Sequence, residues 1–119
     1  MAQYTILVID DEIDFLGIIA KDLEDIGIEV YTASNGVDAL DFIQNHPNLD
    51  SVLCDVKMPG LNGIELLKKV RLDSQTKDLK FILMSGYPEV FDDLDPSLRP
   101  DGTLIKPIDM NEFNQLIGI

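Results

Sequence analysis

The sequence predicts a doubly wound α/β fold, in which helices cover both faces of a parallel sheet. Three short apolar segments, residues 6–9, 52–54 and 81–84, are continuous rather than alternating. Continuous runs of this length are typical of strands buried on both faces of a parallel sheet. Helical periodicity fills the intervals between them. This alternation favours right-handed crossovers, with ligands at the carboxyl ends of the strands.

The first half of the chain contains two predicted strand–helix pairs. After strand 6–9, apolar residues recur at three- and four-residue steps, as on one face of a helix: Phe15, Ile18, Ile19, Leu23 and Ile26. Residues 28–32 alternate between apolar and polar side chains, which predicts an edge strand. The second helix has its own stripe: Val37, Leu40 and Ile43. We expect both stripes to face the sheet.

The second half continues the same alternation. Central strand 52–54 precedes a helix with Asn62 as the candidate cap and an apolar stripe of Ile64, Leu67 and Val70. Strand 81–84 follows, and residues 103–105 predict a brief second edge strand. Asp109 is a plausible N-cap for a last helix whose stripe is Met110, Phe113 and Ile117. The β-α unit therefore occurs five times.

The fourth helical interval contains three helix breakers. Pro88 can start a helix, whereas Pro96 and Pro100 cannot continue one. We predict a helix of about two turns followed by irregular chain.

Size and charge narrow the functional classes. A chain of 119 residues with 45% hydrophobic content suits a single domain over residues 1–119. The net charge of -13 repels nucleic acid and anionic lipid, so we expect no direct binding to either. No apolar stretch approaches the roughly 20 residues that span a bilayer. A lone cysteine and the lack of a secretory signal pattern predict a cytoplasmic protein.

Polar residues follow four of the predicted strands and should converge at one sheet edge: Asp10-Asp11-Glu12, Asp55, Ser85-Gly86 and Lys106-Pro107. Clustered carboxylates repel each other, and a hard cation such as Mg²⁺ relieves that repulsion while leaving positions for phosphate oxygens. Asp55 offers a carboxylate nucleophile for phosphoryl transfer. Lys106 adds a positive charge, and Ser85 adds a hydroxyl donor.

These residues resemble the receiver domain of two-component response regulators across essentially the whole chain. The resemblance rests on four motifs in the family's order and spacing: Ile6-Leu7-Val8-Ile9-Asp10-Asp11-Glu12, Asp55-Val56-Lys57-Met58-Pro59-Gly60-Leu61-Asn62-Gly63, Met84-Ser85-Gly86 and Ile105-Lys106-Pro107. It implies a flavodoxin-like (βα)5 fold with five parallel strands in the order 2-1-3-4-5.

The resemblance also implies roles. Asp55 would be the phosphoacceptor and, with Asp11, would contact Mg²⁺ directly, while Asp10 would act mainly through a water. The Lys57 backbone carbonyl would complete the protein ligands, and Mn²⁺ would be an alternative metal. Ser85 would be the switch hydroxyl and Lys106 the phosphate-pairing lysine, with a cis peptide before Pro107.

The implied partners are proteins of the same signalling chemistry. The phosphodonor would be a sensor histidine kinase, a phosphotransfer protein or acetyl phosphate, and an effector domain or downstream protein would receive the signal. The domain would not be an enzyme, because it would catalyse only its own phosphorylation and dephosphorylation.

Thr103 departs from the family pattern, since an aromatic residue usually stands three positions before the lysine. The usual coupling between the switch hydroxyl and an aromatic rotamer is therefore in question, and a docking module with weak or no phosphorylation switching stays open.

Two other classes fit less well. A flavodoxin-like cofactor module would place phosphate at Asp10-Asp11-Glu12, which would repel it. An aspartate-nucleophile phosphatase would want an acid where Lys57 stands.

Overall fold

The computed structural model describes residues 3–118. Five parallel strands form one sheet in the order β2-β1-β3-β4-β5. The strands are β1 (Thr5–Ile9), β2 (Glu29–Ala33), β3 (Ser51–Asp55), β4 (Lys80–Ser85) and β5 (Gly102–Ile105). The predicted order and the two predicted edge strands are confirmed.

Four α-helices cover the sheet within the described residues: α1 (Ile13–Asp25), α2 (Gly36–Asn45), α3 (Gly63–Leu72) and α4 (Met110–Ile117). Side chains alternate along each strand, so the sheet has a separate core on each face. Leu7, Val52 and Phe81 pack with residues of α2 and α3, whereas Val8, Leu53 and Ile82 pack with residues of α1 and α4. None of the described helices is long and apolar enough to cross a membrane.

Two predicted apolar stripes were partly wrong. Ile18, Ile26 and Val37 are 63%, 48% and 66% exposed instead of facing the sheet. The buried positions of α1 are Leu16, Ile19 and Leu23. A helix can turn only one stripe toward the sheet, and that stripe excludes Ile18. In α2 the buried stripe begins one residue earlier than Val37, at Gly36, and Ile26 lies beyond the last residue of α1.

The fourth helical interval contains 3-10 turns instead of the predicted two-turn helix. One 3-10 helix covers Pro88–Phe91 and a second covers Pro96–Leu98. Pro88 starts the first as expected, but that helix has only four residues. The Asp95 side chain accepts a hydrogen bond from the Ser97 amide and so caps the second. The prediction of irregular chain through Pro96 is confirmed, and the predicted length of the helix was wrong.

A single arginine holds the end of this irregular segment. The Arg71 side chain, 8% exposed, projects from α3. Its guanidinium donates to one carboxylate oxygen and four carbonyl oxygens: Asp101 Oδ2 at 3.0 Å, Leu79 at 2.7 Å, Lys77 at 3.0 Å, Arg99 at 3.0 Å and Leu98 at 3.1 Å. The planar guanidinium has five N–H donors, which suits it to this convergence.

Candidate functional site

Three carboxylates meet at the carboxyl ends of β1 and β3. These strands are neighbours, and their register pairs Ile9 with Cys54, so the residues that follow, Asp10 and Asp55, are brought side by side. Asp10 is fully buried, Asp55 is 5% exposed, and Asp11 is exposed. One carboxylate oxygen from each lies within 4.8 Å of the other two. This donor set fits a hard divalent cation, which binds through oxygen and keeps open positions.

Lys106 reaches the cluster from the end of β5. Its Nζ lies 2.7 Å from Asp10 Oδ2, 3.3 Å from Asp55 Oδ1 and 3.5 Å from Glu12 Oε1. Burial alone would lower the pKa of the Lys106 ammonium, but the hydrogen bond that it donates to Asp10 and the charges of Asp55 and Asp10 outweigh this effect, so the pKa is raised. Lys106 therefore supplies a permanent positive charge beside Asp55.

The pKa of Asp55 is raised from 3.8 to about 6. Burial is the main cause, and the charge of Asp10 adds to it, while the charge of Lys106 opposes both. Without a metal, the cluster therefore holds its negative charges at a cost. A cation at this position would relieve that cost and favour the ionised form of Asp55.

Ser85 ends β4 and is 1% exposed. Its Oγ accepts a hydrogen bond from the Tyr87 amide at 3.0 Å and lies 3.4 Å from the Tyr87 carbonyl oxygen. The predicted switch hydroxyl is therefore at the sheet edge that carries the carboxylates, but here it contacts the backbone of the chain leaving β4.

Lys57 and Tyr87 form a cation–π pair near the carboxyl ends of β3 and β4. The Lys57 side chain is exposed, and its Nζ lies 4.1 Å from the centroid of the Tyr87 ring. This cation–π contact joins the loop after β3 to the loop after β4. This contact involves the side chain of Lys57. The role predicted for Lys57 is that of a metal ligand, and it concerns the backbone carbonyl.

The loop that follows Asp55 is held by α3. Asn62 and Glu65 form a capping box at the start of α3, which confirms the predicted cap. The Gly63 amide donates to the Val56 carbonyl at 2.9 Å. A Cβ atom on Gly63 would collide with the Asp55 carbonyl oxygen, so the first residue of α3 packs directly on the backbone of Asp55. Glycine is required here because of this close approach.

Two further observations concern Lys106. Its peptide bond to Pro107 is cis, as the family resemblance implies. Its Nζ lies 4.4 Å from the centroid of the Phe15 ring. The sequence placed Phe15 only on the apolar stripe of α1, and no spacing rule could have linked it to the lysine that follows β5.

The comparisons with known proteins agree with this geometry. A family described as "Response regulator receiver domain" matches residues 6–118. Sporulation initiation phosphotransferase F of Bacillus subtilis is 30% identical over 98% of this chain and 93% of its own length. A probable transcriptional regulator, ycf27 of Cyanophora paradoxa, is 37% identical over 94% of this chain. The chain spans 46% of that regulator, so about half the length of some curated relatives is matched.

Solved structures show the same architecture. The response regulator TrrA of Thermotoga maritima, in complex with Mg²⁺-BeF, has 32% identity and a TM-score of 0.86, with 98% of this chain and 97% of that chain covered. The chemotaxis protein CheY4 of Vibrio cholerae has 29% identity and a TM-score of 0.86, with 98% of both chains covered.

The chain therefore belongs to the family of response regulator receiver domains of two-component signalling. Receiver domains bind Mg²⁺ at an acidic site, and Asp10, Asp11 and Asp55 form an acidic site here. They are signalling domains that interact with histidine kinases or phosphotransfer proteins.

Proposed function

We propose that Asp55 is the phosphoacceptor of this receiver domain. The observation that carries the proposal is the placement of Asp55, nearly buried, between two carboxylates and an ammonium group 3.3 Å away. In the reaction, an Asp55 carboxylate oxygen attacks phosphorus in line. The bond from phosphorus to the donor breaks, and the donor group leaves with its electron pair. Hydrolysis of the resulting acyl phosphate restores the carboxylate and releases inorganic phosphate.

The residues around Asp55 have separate roles in this proposal. Asp11 and Asp55 would hold Mg²⁺ directly, Asp10 would hold it through water, and the Lys57 carbonyl would complete the set, with Mn²⁺ as a substitute. The metal would neutralise charge on the phosphoryl oxygens. Lys106 pairs with a phosphoryl oxygen, for which its raised pKa keeps it charged. The Ser85 hydroxyl leaves the Tyr87 backbone and donates to the phosphoryl group.

The wider setting follows from the family. We propose a single domain over residues 1–119 that acts in the cytoplasm. A sensor histidine kinase or a phosphotransfer protein would serve as donor, and an effector domain or downstream protein would receive the signal. The domain would catalyse only its own phosphorylation and dephosphorylation. Binding to nucleic acid or membrane by this chain is opposed by its net charge of -13.

The identity of residue 103 bears on how a movement of Ser85 is relayed to the rest of the domain, and here this residue is Thr103. It is exposed on β5, and no aromatic side chain stands there to follow the switch hydroxyl. We propose that movement of Ser85 is relayed through the backbone of residues 86–101, which begins at that hydroxyl. The complete acidic cluster beside Lys106 favours this phosphorylated switch over a docking module that has lost phosphorylation.

Intact-mass spectrometry after incubation with acetyl phosphate tests the proposal. We expect a Mg²⁺-dependent gain of one phosphoryl group on the wild type and none on Asp55→Asn. Exposed Asp92, outside the cluster, provides the matched control, and Asp92→Asn should label like the wild type. Labelling of Asp55→Asn would show that the acceptor is another residue. A wild type that binds Mg²⁺ but takes no phosphoryl group from either acetyl phosphate or a phosphohistidine donor would support the docking module.

A further inference from the structure

We propose that Phe15 is a positioning residue for Lys106, and that the face of its ring keeps the ammonium group directed at Asp55. The kinetic part of this inference rests on the proposed function. The geometric part concerns only residues of this chain and can be tested without phosphorylation or metal.

The surroundings of Lys106 define the argument. Its Nζ has Asp10 and Asp55 as partners at 2.7 and 3.3 Å and the Phe15 ring centroid at 4.4 Å. The remaining partner, Glu12 at 3.5 Å, has a side chain that is 70% exposed. The Lys106 side chain itself is 14% exposed. The ammonium group therefore has two buried carboxylate partners, a partly buried ring and one exposed carboxylate partner.

The position of Phe15 on α1 restricts the movement of its ring. Phe15 lies in the first turn of α1 and packs on the core that includes Leu16 and Phe113. Lysine has a flexible stem with considerable rotamer freedom, so its ammonium group needs constraints on more than one side. A phenylalanine face attracts a cation within about 6 Å of the centroid, and the attraction grows when the pair is desolvated. An aliphatic side chain of similar volume would supply packing without this attraction.

The role becomes most important when the carboxylates change. Phosphorylation converts Asp55 to an acyl phosphate, and Lys106 must then follow a phosphoryl oxygen. Glu12 is the competing partner that would draw the ammonium group outward. The ring of Phe15 does not titrate and is not modified in the reaction, so it can hold Lys106 through the whole cycle.

Lysine side-chain NMR tests the geometry. In metal-free protein labelled at the lysine ε-carbons, we expect the Lys106 ε-protons to be shifted upfield by the ring current, with the assignment made from Lys106→Arg. The shift should persist in Phe15→Tyr and disappear in Phe15→Leu. Lys57 over Tyr87 gives an internal reference, because its own upfield shift should survive every Phe15 substitution. A Lys106 signal that is unshifted in the wild type would overturn the inference.

Phosphorylation kinetics with acetyl phosphate test the function. We expect Phe15→Leu to label about three- to tenfold more slowly than the wild type, the size of a cation–π contribution. Phe15→Tyr should stay near the wild-type rate. Replacing Phe15 with increasingly fluorinated phenylalanines should lower the rate stepwise, because fluorine withdraws charge from the ring face while the ring keeps its shape. A merely structural role would leave the rates of the fluorinated series unchanged.

Two controls complete the design. Phe42→Leu removes another partly buried phenylalanine, one that stacks on His46, and should leave both the Lys106 signal and the rate unchanged. In a Lys106→Ala background, Phe15→Leu should have no further effect on the rate. Equal rates for wild type and Phe15→Leu would overturn the inference. A wild type that does not label at all would instead defeat the proposed function, and the NMR result would still decide the geometry.

Discussion

The carboxyl ends of β1 and β3 differ sharply from the carboxyl end of β4. At β1 and β3, Asp10 and Asp55 lie next to buried backbone and are fixed by the parallel register. At β4, the chain leaves Ser85 and runs through residues 86–101 with only two short 3-10 helices. The sheet therefore holds the carboxylates of the site. The segment that follows Ser85 instead packs on the core through Val90, Phe91, Leu94 and Leu98, and the Arg71 side chain ties its far end. A switch needs both a fixed site and a part that can move.

Replacing Arg71 with alanine should have the largest effect on stability, and it tests whether this side chain holds the segment after β4. The substitution removes the guanidinium donor from four carbonyl oxygens and from the Asp101 carboxylate, which still accepts a hydrogen bond from the Phe81 amide at 2.7 Å. We expect a loss of about 3–5 kcal/mol in the free energy of unfolding, measured with urea. Lys69→Ala, an exposed change on the same helix, should stay within about 0.5 kcal/mol of the wild type. A small effect of Arg71→Ala would mean that residues 86–101 are held by other contacts.

The pH dependence of the stability of Asp55→Asn, compared with the wild type, measures how much free energy the ionisation of Asp55 costs the folded state. The folded pKa of Asp55, about 6, lies above its ordinary value of 3.8. The folded state therefore holds the proton more tightly, and metal-free wild type loses stability as the pH rises from about 4 to 6. Asn cannot ionise, so Asp55→Asn should match the wild type near pH 4 and be more stable by about 1–3 kcal/mol at pH 7–8.

Urea unfolding in the presence of a chelator, at several values between pH 4 and 8, gives this difference directly. Carboxylates outside the cluster titrate alike in both proteins and cancel. Mg²⁺ should then narrow the difference at pH 7–8, because it binds the ionised cluster of the wild type. A difference that does not change with pH would show that ionisation of Asp55 is not opposed by its surroundings.

Removing the N-cap of α3 should have a smaller effect on stability. This change tests how much the cap stabilises the loop that follows Asp55. Asn62→Ala deletes one half of the capping box that starts the helix packed on Asp55. We expect a loss of about 1 kcal/mol in the free energy of unfolding. Gln44→Ala on the exposed surface of α2 serves as the control and should change stability by less than about 0.5 kcal/mol. If both variants are equal, the cap adds nothing to the stability of this loop.

The sequence predicted the fixed region better than the variable one, for physical reasons. Buried parallel strands leave continuous apolar runs, and one topological rule places their carboxyl ends together, so Asp10, Asp55 and Lys106 could be grouped from spacing alone. Which of two adjacent apolar residues, such as Ile18 and Ile19, faces the sheet depends on how the helix is rotated against it. Local sequence does not encode that rotation.

The missed contacts depend on three-dimensional packing in the same way. The prolines predicted an irregular segment after β4, but the length of its first helix depends on long-range contacts. Arg71 and Phe15 were invisible as key residues because their partners lie on other elements, 27 to 30 residues away for the Leu98, Arg99 and Asp101 groups of Arg71.

The single ammonium of Lys106 among the site's carboxylates has a consequence for ion selectivity. When Asp10, Asp11 and Asp55 are all ionised, Lys106 balances one of their three charges. The remainder equals the charge of one divalent ion, so a divalent ion makes the cluster electrically neutral and a monovalent ion leaves it anionic. In a protein whose net charge is -13, neutrality at this one point distinguishes the loaded site from the rest of the surface.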